Sequence, residues 1–229
     1  MAHKQFDERL EELERSLHRM SHDIEELVAD ATSLVGRPSI EDEVAAIVEA
    51  DRAIDAAEVE IEEGAIELLA LHQPMAIDLR VLVTILKINN DLERVGDHGV
   101  NIAEAAQRLA RLKHQVPIPP ELEEMSRIAR QMLGDALDAF VHQNEEEARD
   151  VGARDDHVDQ LQDSLFRVML THMTEHNISG CLQVILIGRN IERIADLATN
   201  IGEDVVYMVR GTTIRHRGAE GGEASTGPE

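Results

Sequence analysis

The chain has little of three things that many folds depend on: cysteine, aromatic side chains and positive charge. Cys181 is the only cysteine among 229 residues, which excludes an internal disulfide framework and a zinc site built on several thiolates. Aromatic residues make up 2% of the chain and tryptophan is absent. Because β-sheets are enriched in aromatic and β-branched residues, this composition favours helices.

The shortage of positive charge limits the possible partners. Lys and Arg number 22 against 46 Asp and Glu, which gives a formal net charge of −24. Such a surface repels nucleic acid and anionic membrane faces, and it attracts cations or a basic protein surface. No apolar run reaches the roughly 18 residues of a transmembrane helix, and the first residues lack the layout of a secretory signal. Together with the lone cysteine, these features predict a cytoplasmic protein with no transmembrane segment and no nucleic-acid partner.

A long internal repeat is the main positive feature. Residues 91–104 read DLERVGDHGVNIAE and residues 190–203 read NIERIADLATNIGE, at an offset of 192 − 93 = 99. Upstream of the two copies, Asp51 and Asp55 correspond to Asp155 and Asp159, at an offset of 155 − 51 = 104. Each half therefore holds a D-x-x-x-D motif followed by an E-x-x-x-D motif, as expected of two copies of one supersecondary unit.

Apolar periodicity predicts an all-α fold of two tandem, pseudo-symmetric three-helix bundles. The six long helices are expected at about 7–35, 40–72, 76–112, 121–143, 145–176 and 178–210. Ser39 is the predicted N-cap of the second helix, whose seam alternates large residues (Ile47, Ile54, Ile61, Leu68) with Ala50, Ala57, Gly64 and Leu71. The predicted units are residues 1–114 and 121–211, with a proline-rich linker at 115–120 and a disordered tail at 212–229.

The repeated acids share one edge of the buried helix face. At about 100° per residue, Asp97 falls about 40° from Glu93 and Glu104 about 20° from it, next to the apolar stripe. Glu192, Asp196 and Glu203 repeat this placement. His98 falls about 140° away and is expected to be an exposed helix residue.

Facing acid stripes would be strained without a counter-ion. Glu58 extends the stripe of Asp51 and Asp55 on the second helix, and two charges 5 Å apart repel by about 3 kcal/mol at an effective dielectric of 20. The acids must splay into water, take up protons, pair with Arg94 and Arg193, or hold cations. A cluster of oxygens without thiolates suits Mg, Mn, Fe(II) or Ca, with Zn possible. A solvated helix face remains the alternative.

Two segments resemble the PhoU family of phosphate transport and signalling regulators. The helix at 91–104 is similar to the signature helix of that family, and His72-Gln73-Pro74-Met75-Ala76-Ile77-Asp78-Leu79-Arg80 is similar to the segment before it. The resemblance covers about residues 7–211 and implies multinuclear clusters of iron or other divalent metals, with Zn, Mn or Mg possible. The ligands that it implies are Asp51, Asp55, Glu93, Asp97, Asp155, Asp159, Glu192 and Asp196. Possible supporting ligands are Asn101, Asn200, Glu104, Glu203 and Glu58.

The second copy departs from the pattern, because Ala195 and Leu197 replace Gly96 and His98. Its cluster is therefore expected to hold fewer or weaker metals. Gln160 and Gln162 also stand where the first half has Ala56 and Glu58.

The resemblance implies a non-enzymatic negative regulator of phosphate uptake and of the phosphate-starvation response. Such a protein couples the ATPase of a phosphate ABC transporter to a sensor histidine kinase, is recruited to the inner membrane through them, and forms homodimers. A metal-free structural adaptor is one alternative. A ferritin-like redox enzyme is the other, but it needs Glu-x-x-His, and Gly96 and Ala195 stand three residues after the motif glutamates.

Overall fold

The computed structural model describes residues 2–112, 116–173 and 177–211. These residues form helices and no strand, which confirms the predicted all-α class. The helices are α1 (Ala2–Ser33), α2 (Glu41–His72), α3 (Ile77–Ala110), α4 (Pro120–His142), α5 (Glu145–Gly152), α6 (Asp155–His172) and α7 (Ile178–Arg210). Six of them are long, as predicted, and α5 is an additional short helix. The predicted disordered tail at 212–229 lies outside the described residues.

Local sequence sets most helix ends. Pro120 occupies the first turn of α4, where a missing N–H is tolerated and the fixed φ suits a helix. Asn144 and Asn177 cap α5 and α7, their side-chain oxygens accepting backbone N–H groups at 3.1 Å and 2.9 Å. Gly211 ends α7 in the left-handed region, with φ 72°.

The predicted N-cap of α2 is wrong. Ile40, not Ser39, occupies that position, and no side chain caps the helix. Ile40 is fully buried, whereas Ser39 adopts a positive φ of 54°. Core packing of Ile40 therefore decides how the chain enters α2. Three acids in the first turn, Glu41, Asp42 and Glu43, interact favourably with the positive end of the helix dipole.

The predicted fifth helix, 145–176, does not run continuously. It is divided at residues 153–154 into α5 and α6, and α6 ends at His172. α5 packs closely on α7, where a Cβ at Gly202 would lie 2.6 Å from the carbonyl oxygen of Ala148. Arg154, in the break, pairs with Asp135 of α4 at 2.7 Å. The chain therefore leaves the helix at residues 153–154, although the apolar periodicity of the sequence runs through this point. As a result, Asp155 is the first residue of α6.

The α1–α2 packing follows the predicted seam only in part. Ile47, Ile54, Ile61 and Leu68 are buried, as predicted, but Ala50 and Leu71 are exposed. The large residues of the pattern therefore mark the buried side of α2 correctly. The positions between them do not all contact a neighbouring helix. α1 also begins earlier than the predicted residue 7, because Phe6 is buried and its ring lies 5.5 Å from that of His72.

The helices form two groups, α1–α3 and α4–α7, that meet mainly along α3 and α7. Polar contacts join these two helices along their length: Arg80 to the Met208 carbonyl, Lys87 to Asp204, His98 to Asn190 and Arg108 to Gln183. Residue numbers rise on one helix as they fall on the other, so α3 and α7 are antiparallel. His98 is therefore half-buried, not exposed as predicted. The predicted unit limit at 114 lies between α3 and α4, and the limit at 121 lies in the first turn of α4; both stay predictions.

Candidate metal centres

The first acidic cluster lies along the α2–α3 seam. Asp51 and Asp55 on α2, and Glu93 and Asp97 on α3, influence one another electrostatically. Burial, followed by the charges of Asp55 and Asp97, raises the pKa of Asp51 to about 6. Burial and the neighbouring carboxylates also raise the pKa of Glu93 and of Glu58. The fold thus brings Asp51, Asp55, Glu58, Glu93 and Asp97 together, and the site disfavours the negative charge of Asp51, Glu58 and Glu93.

Gly96 makes room for Asp51 against α3. A Cβ at this position would lie 2.9 Å from Asp51 Oδ1 and 3.8 Å from Ile54 Cγ2. The motif glycine therefore lets one carboxylate approach the backbone between Glu93 and Asp97. This is a packing reason for a glycine inside a long helix, where it otherwise lowers stability.

The second cluster repeats the arrangement on α6 and α7. Burial, then the charges of Asp196 and Asp159, raises the pKa of Asp155 to about 6. Burial and Asp196 likewise raise the pKa of Asp159 and Glu192. One difference is positive charge within the cluster, since Arg193 donates to Asp196 Oδ2 at 2.8 Å and opposes the rise at Asp159 and Glu192.

Three polar side chains that sequence reasoning did not single out as ligands lie at these seams. They are Asn89, Gln162 and Thr199. Asn89 Oδ1 and Gln162 Oε1 are buried and have no hydrogen-bond partner in the part of the chain that the structure describes. The Thr199 hydroxyl is buried beside Asp155. Their positions, one helical turn from motif acids, were available from the same periodicity. Their burial was not, because it depends on the facing helix.

Asp155 is poorly satisfied for a buried carboxylate. Contact with the Thr199 hydroxyl lowers its pKa, but less than burial and the neighbouring carboxylates raise it, and its Oδ1 has no hydrogen bond of good geometry in the described ranges. A buried carboxylate oxygen without a good donor is costly. A cation at this point would supply the missing partner, so the donor set fits an oxygen-preferring metal.

The side chains do not yet form a closed coordination shell. Within residues 2–112, 116–173 and 177–211, no three His, Cys, Asp or Glu side chains are placed to hold one ion. Holding one ion would therefore require some of these carboxylates to change rotamer.

The supporting ligands are less defined. Glu104 is exposed and pairs with Arg108 at 3.2 Å, while Asn101 is exposed as well. Glu203 and Asn200 are half-buried on α7. The ligand roles of these four residues stay predictions.

None of the helices in the described residues is long and apolar enough to cross a membrane.

Comparison with known proteins gives a consistent result. The PhoU domain family matches residues 8–106 and 122–205, one match for each half. A phosphate-specific transport system accessory protein PhoU homolog of Clostridium acetobutylicum is 36% identical over 217 residues, covering 93% of this chain and 98% of the relative. The accessory protein PhoU of Escherichia coli K12 is 34% identical over 219 residues, covering 94% and 90%.

Solved structures agree with the fold. The crystal structure of PhoU from Pseudomonas aeruginosa superposes with a TM-score of 0.85 at 33% identity, over 90% of this chain and all of that one. The phosphate transport system regulatory protein PhoU of Streptococcus pneumoniae gives a TM-score of 0.81 at 29% identity, over 91% and 99%. The Escherichia coli relative is named an accessory protein and the Streptococcus pneumoniae protein a regulatory protein of phosphate transport, so the prediction of a non-enzymatic chain is confirmed and the ferritin-like alternative is set aside.

Proposed function

Since the chain belongs to the PhoU family, we propose that it is an accessory regulator of phosphate transport. In this role it restrains phosphate uptake and the phosphate-starvation response when phosphate is plentiful. The observation that carries the proposal is the match of the family to both halves of the chain. Within these halves the duplicated acid motif folds into two corresponding clusters.

The proposed mechanism is that of an adaptor between two membrane partners. The ATPase of a phosphate ABC transporter and a sensor histidine kinase are the expected partners, and they recruit the protein from the cytoplasm to the inner membrane. A net charge of −24 favours basic surfaces on those partners and accelerates the encounter at low ionic strength. A homodimer is part of the proposal and is testable by light scattering.

Metal binding is the second part of the proposal. Asp51, Asp55, Glu93 and Asp97 would hold one cluster, and Asp155, Asp159, Glu192 and Asp196 the other. Iron is the first candidate, followed by Zn, Mn and Mg. A bound cation would supply positive charge that relieves the carboxylate repulsion and fixes α2 against α3 and α6 against α7. The raised pKa of Asp51 and Asp155 supports this part, because both groups need protons or cations.

Metal content is the first test. Tag-free protein purified without chelator is compared, by plasma mass spectrometry, with a variant in which Glu93, Asp97, Glu192 and Asp196 are all Ala. Several metals per chain that disappear in the variant support the clusters. A control with four exposed acids changed to Ala (Glu60, Glu63, Glu147 and Asp150) removes the same charge and should keep the metal. Metal-free wild-type protein, or equal content in all three, would favour the metal-free adaptor.

Regulation is tested separately in cells. A strain lacking its own PhoU relative and carrying a phosphate-starvation reporter should show lower reporter activity at high phosphate when this chain is expressed. Failure to lower it, with the protein present at normal levels, would contradict the regulatory proposal. The cluster variant then shows whether regulation depends on metal.

A further inference from the structure

Asn89 lies at the α2–α3 seam with its orientation fixed. Its side chain is 1% exposed, and Nδ2 donates to the backbone carbonyl of Glu58 at 2.9 Å. Because a carbonyl oxygen can accept only from the amide nitrogen, the amide cannot be turned over. Asn89 Oδ1 is therefore the atom that has no partner among the described residues.

The second half has the same feature built from the opposite helix. The position of Asn89 in α3 corresponds to Gly188 in α7, since 188 − 89 = 99. Gln162 of α6 fills that space, and a Cβ at Gly188 would lie 2.5 Å from Gln162 Oε1. That oxygen is also buried and has no partner in the described part of the chain. An amide oxygen thus occupies matching places in both halves although the residues that supply it do not correspond.

Both amides lie within about one helical turn of a motif acid, at the border of the buried stripe. Asn89 precedes Glu93 by one turn and falls about 40° from it on the side away from Asp97, while Gln162 follows Asp159 by three residues and falls about 20° from Asp155. A buried amide oxygen without a donor is unfavourable. Its occurrence at the α2–α3 seam and again at the α6–α7 seam, about one turn from a motif acid in each case, indicates a common ligand.

We propose that Asn89 Oδ1 and Gln162 Oε1 are neutral oxygen ligands of the cations held by the two acidic clusters. The proposal rests on the proposed metal binding. Amide oxygens are ordinary ligands of hard divalent cations. A neutral oxygen completes the coordination shell without adding charge to carboxylates that already repel one another.

The test measures Mn²⁺ affinity one cluster at a time by calorimetric titration of the apo full-length chain. The second cluster is isolated by changing Glu93 and Asp97 to Ala, and the first by changing Glu192 and Asp196 to Ala. Gln162→Met removes the oxygen at nearly constant side-chain volume. Because the proposed ligand is lost, Mn²⁺ binding at the second cluster should weaken at least about tenfold. Gln162→Glu restores an oxygen and should recover at least the wild-type affinity.

Asn89→Leu makes the corresponding change at the first cluster and should weaken binding there to a similar extent. It also removes the hydrogen bond to Glu58, so circular dichroism must show that it folds; if it does not, the Gln162 variants decide. Thr84→Val is the matched control. Thr84 is fully buried on α3, and its hydroxyl has no partner among the described residues. It lies about 180° from Glu93, on the opposite side of the helix. Its Mn²⁺ affinity should not change.

The outcomes separate the two proposals. If the wild-type clusters bind no Mn²⁺ and no other divalent metal, both the metal proposal and this inference are overturned. If they bind metal but Gln162→Met stays within twofold of wild type, the amide ligands are overturned while the metal clusters stand.

Discussion

Gly96 illustrates how one missing methyl group shapes a site. In Gly96→Ala the new Cβ would meet the Asp51 carboxylate at 2.9 Å, and that side chain can rotate away. We therefore expect the free energy of unfolding to stay constant or rise by up to about 1 kcal/mol, from the gain in helix propensity. Metal affinity at the first cluster should fall, as measured by titration of the chain with its second cluster disabled.

Ala195→Gly is the matched control for that change. It occupies the corresponding position in α7 and should lose about 1 kcal/mol of stability without losing metal at the second cluster. Unchanged affinity in Gly96→Ala would mean that Asp51 need not lie against the α3 backbone.

Proton binding by Asp51 gives a second prediction at this scale. Its pKa is about 6 in the folded chain against an ordinary 3.8, so the folded state binds more protons than the unfolded state between these values. The contribution of Asp51 to stability therefore decreases as pH rises through this window, and stays reduced above it. Metal-free Asp51→Asn, compared with wild type by urea unfolding, should gain relative stability between pH 4 and pH 7.

The matched variant for this measurement is Asp155→Asn, because burial raises the pKa of Asp155 to about 6 as well. A stability difference that does not change with pH would contradict the assignment. Saturating metal should reverse the sign for both variants, since each removes a proposed ligand.

At the scale of helices, the close approach of α5 to α7 determines where the predicted fifth helix breaks. In Gly202→Ala the new Cβ would lie 2.6 Å from the backbone carbonyl oxygen of Ala148, and backbone cannot rotate out of the way. We expect a loss of about 1–3 kcal/mol in the free energy of unfolding, measured with urea.

Gly152→Ala is the comparison at the same interface. Its Cβ would lie 3.6 Å from Thr199 Cγ2, an ordinary contact, so its stability should hold or rise. Equal effects of the two substitutions would show that α5 does not depend on contact with Gly202.

For the molecule as a whole, α3 and α7 connect the two halves through a partly buried ion pair. Lys87 Nζ lies 2.9 Å from Asp204 Oδ1 and 5.1 Å from the centre of the Tyr207 ring. The Asp204 side chain is 3% exposed and that of Lys87 is 40% exposed. Lys87→Met should lower the free energy of unfolding by about 1–2 kcal/mol. This value lies between the losses typical of exposed ion pairs and of buried ion pairs.

A double-mutant cycle checks that value. Lys87→Met combined with Asp204→Leu should recover part of the loss, because the second change removes the buried carboxylate. A Lys87→Met variant as stable as wild type would mean that this ion pair adds nothing to the packing of α3 on α7.

The sequence by itself determined the helical class, the duplication and the face on which each acid lies. These properties follow from local chemistry: composition, proline and glycine positions, and a period of 3.6 residues. Hence Asp51, Glu93, Asp155 and Glu192 could be predicted to lie beside the apolar stripes, and both clusters form where the repeat predicted them.

Only the tertiary structure decided which surface each face meets. Periodicity specifies a direction on one helix but not the atoms opposite, so Ser39 was wrongly expected to cap α2 and residues 145–176 to form one helix. For the same reason the sequence did not reveal Asn89 and Gln162 as candidate ligands. The Glu58 carbonyl on the facing helix fixes the orientation of the Asn89 amide, and Gly188 on the facing helix leaves the space that Gln162 fills. Whether a side chain is buried, and which atoms it contacts, depends on two packed helices together. A single stretch of sequence describes only one of the two helices.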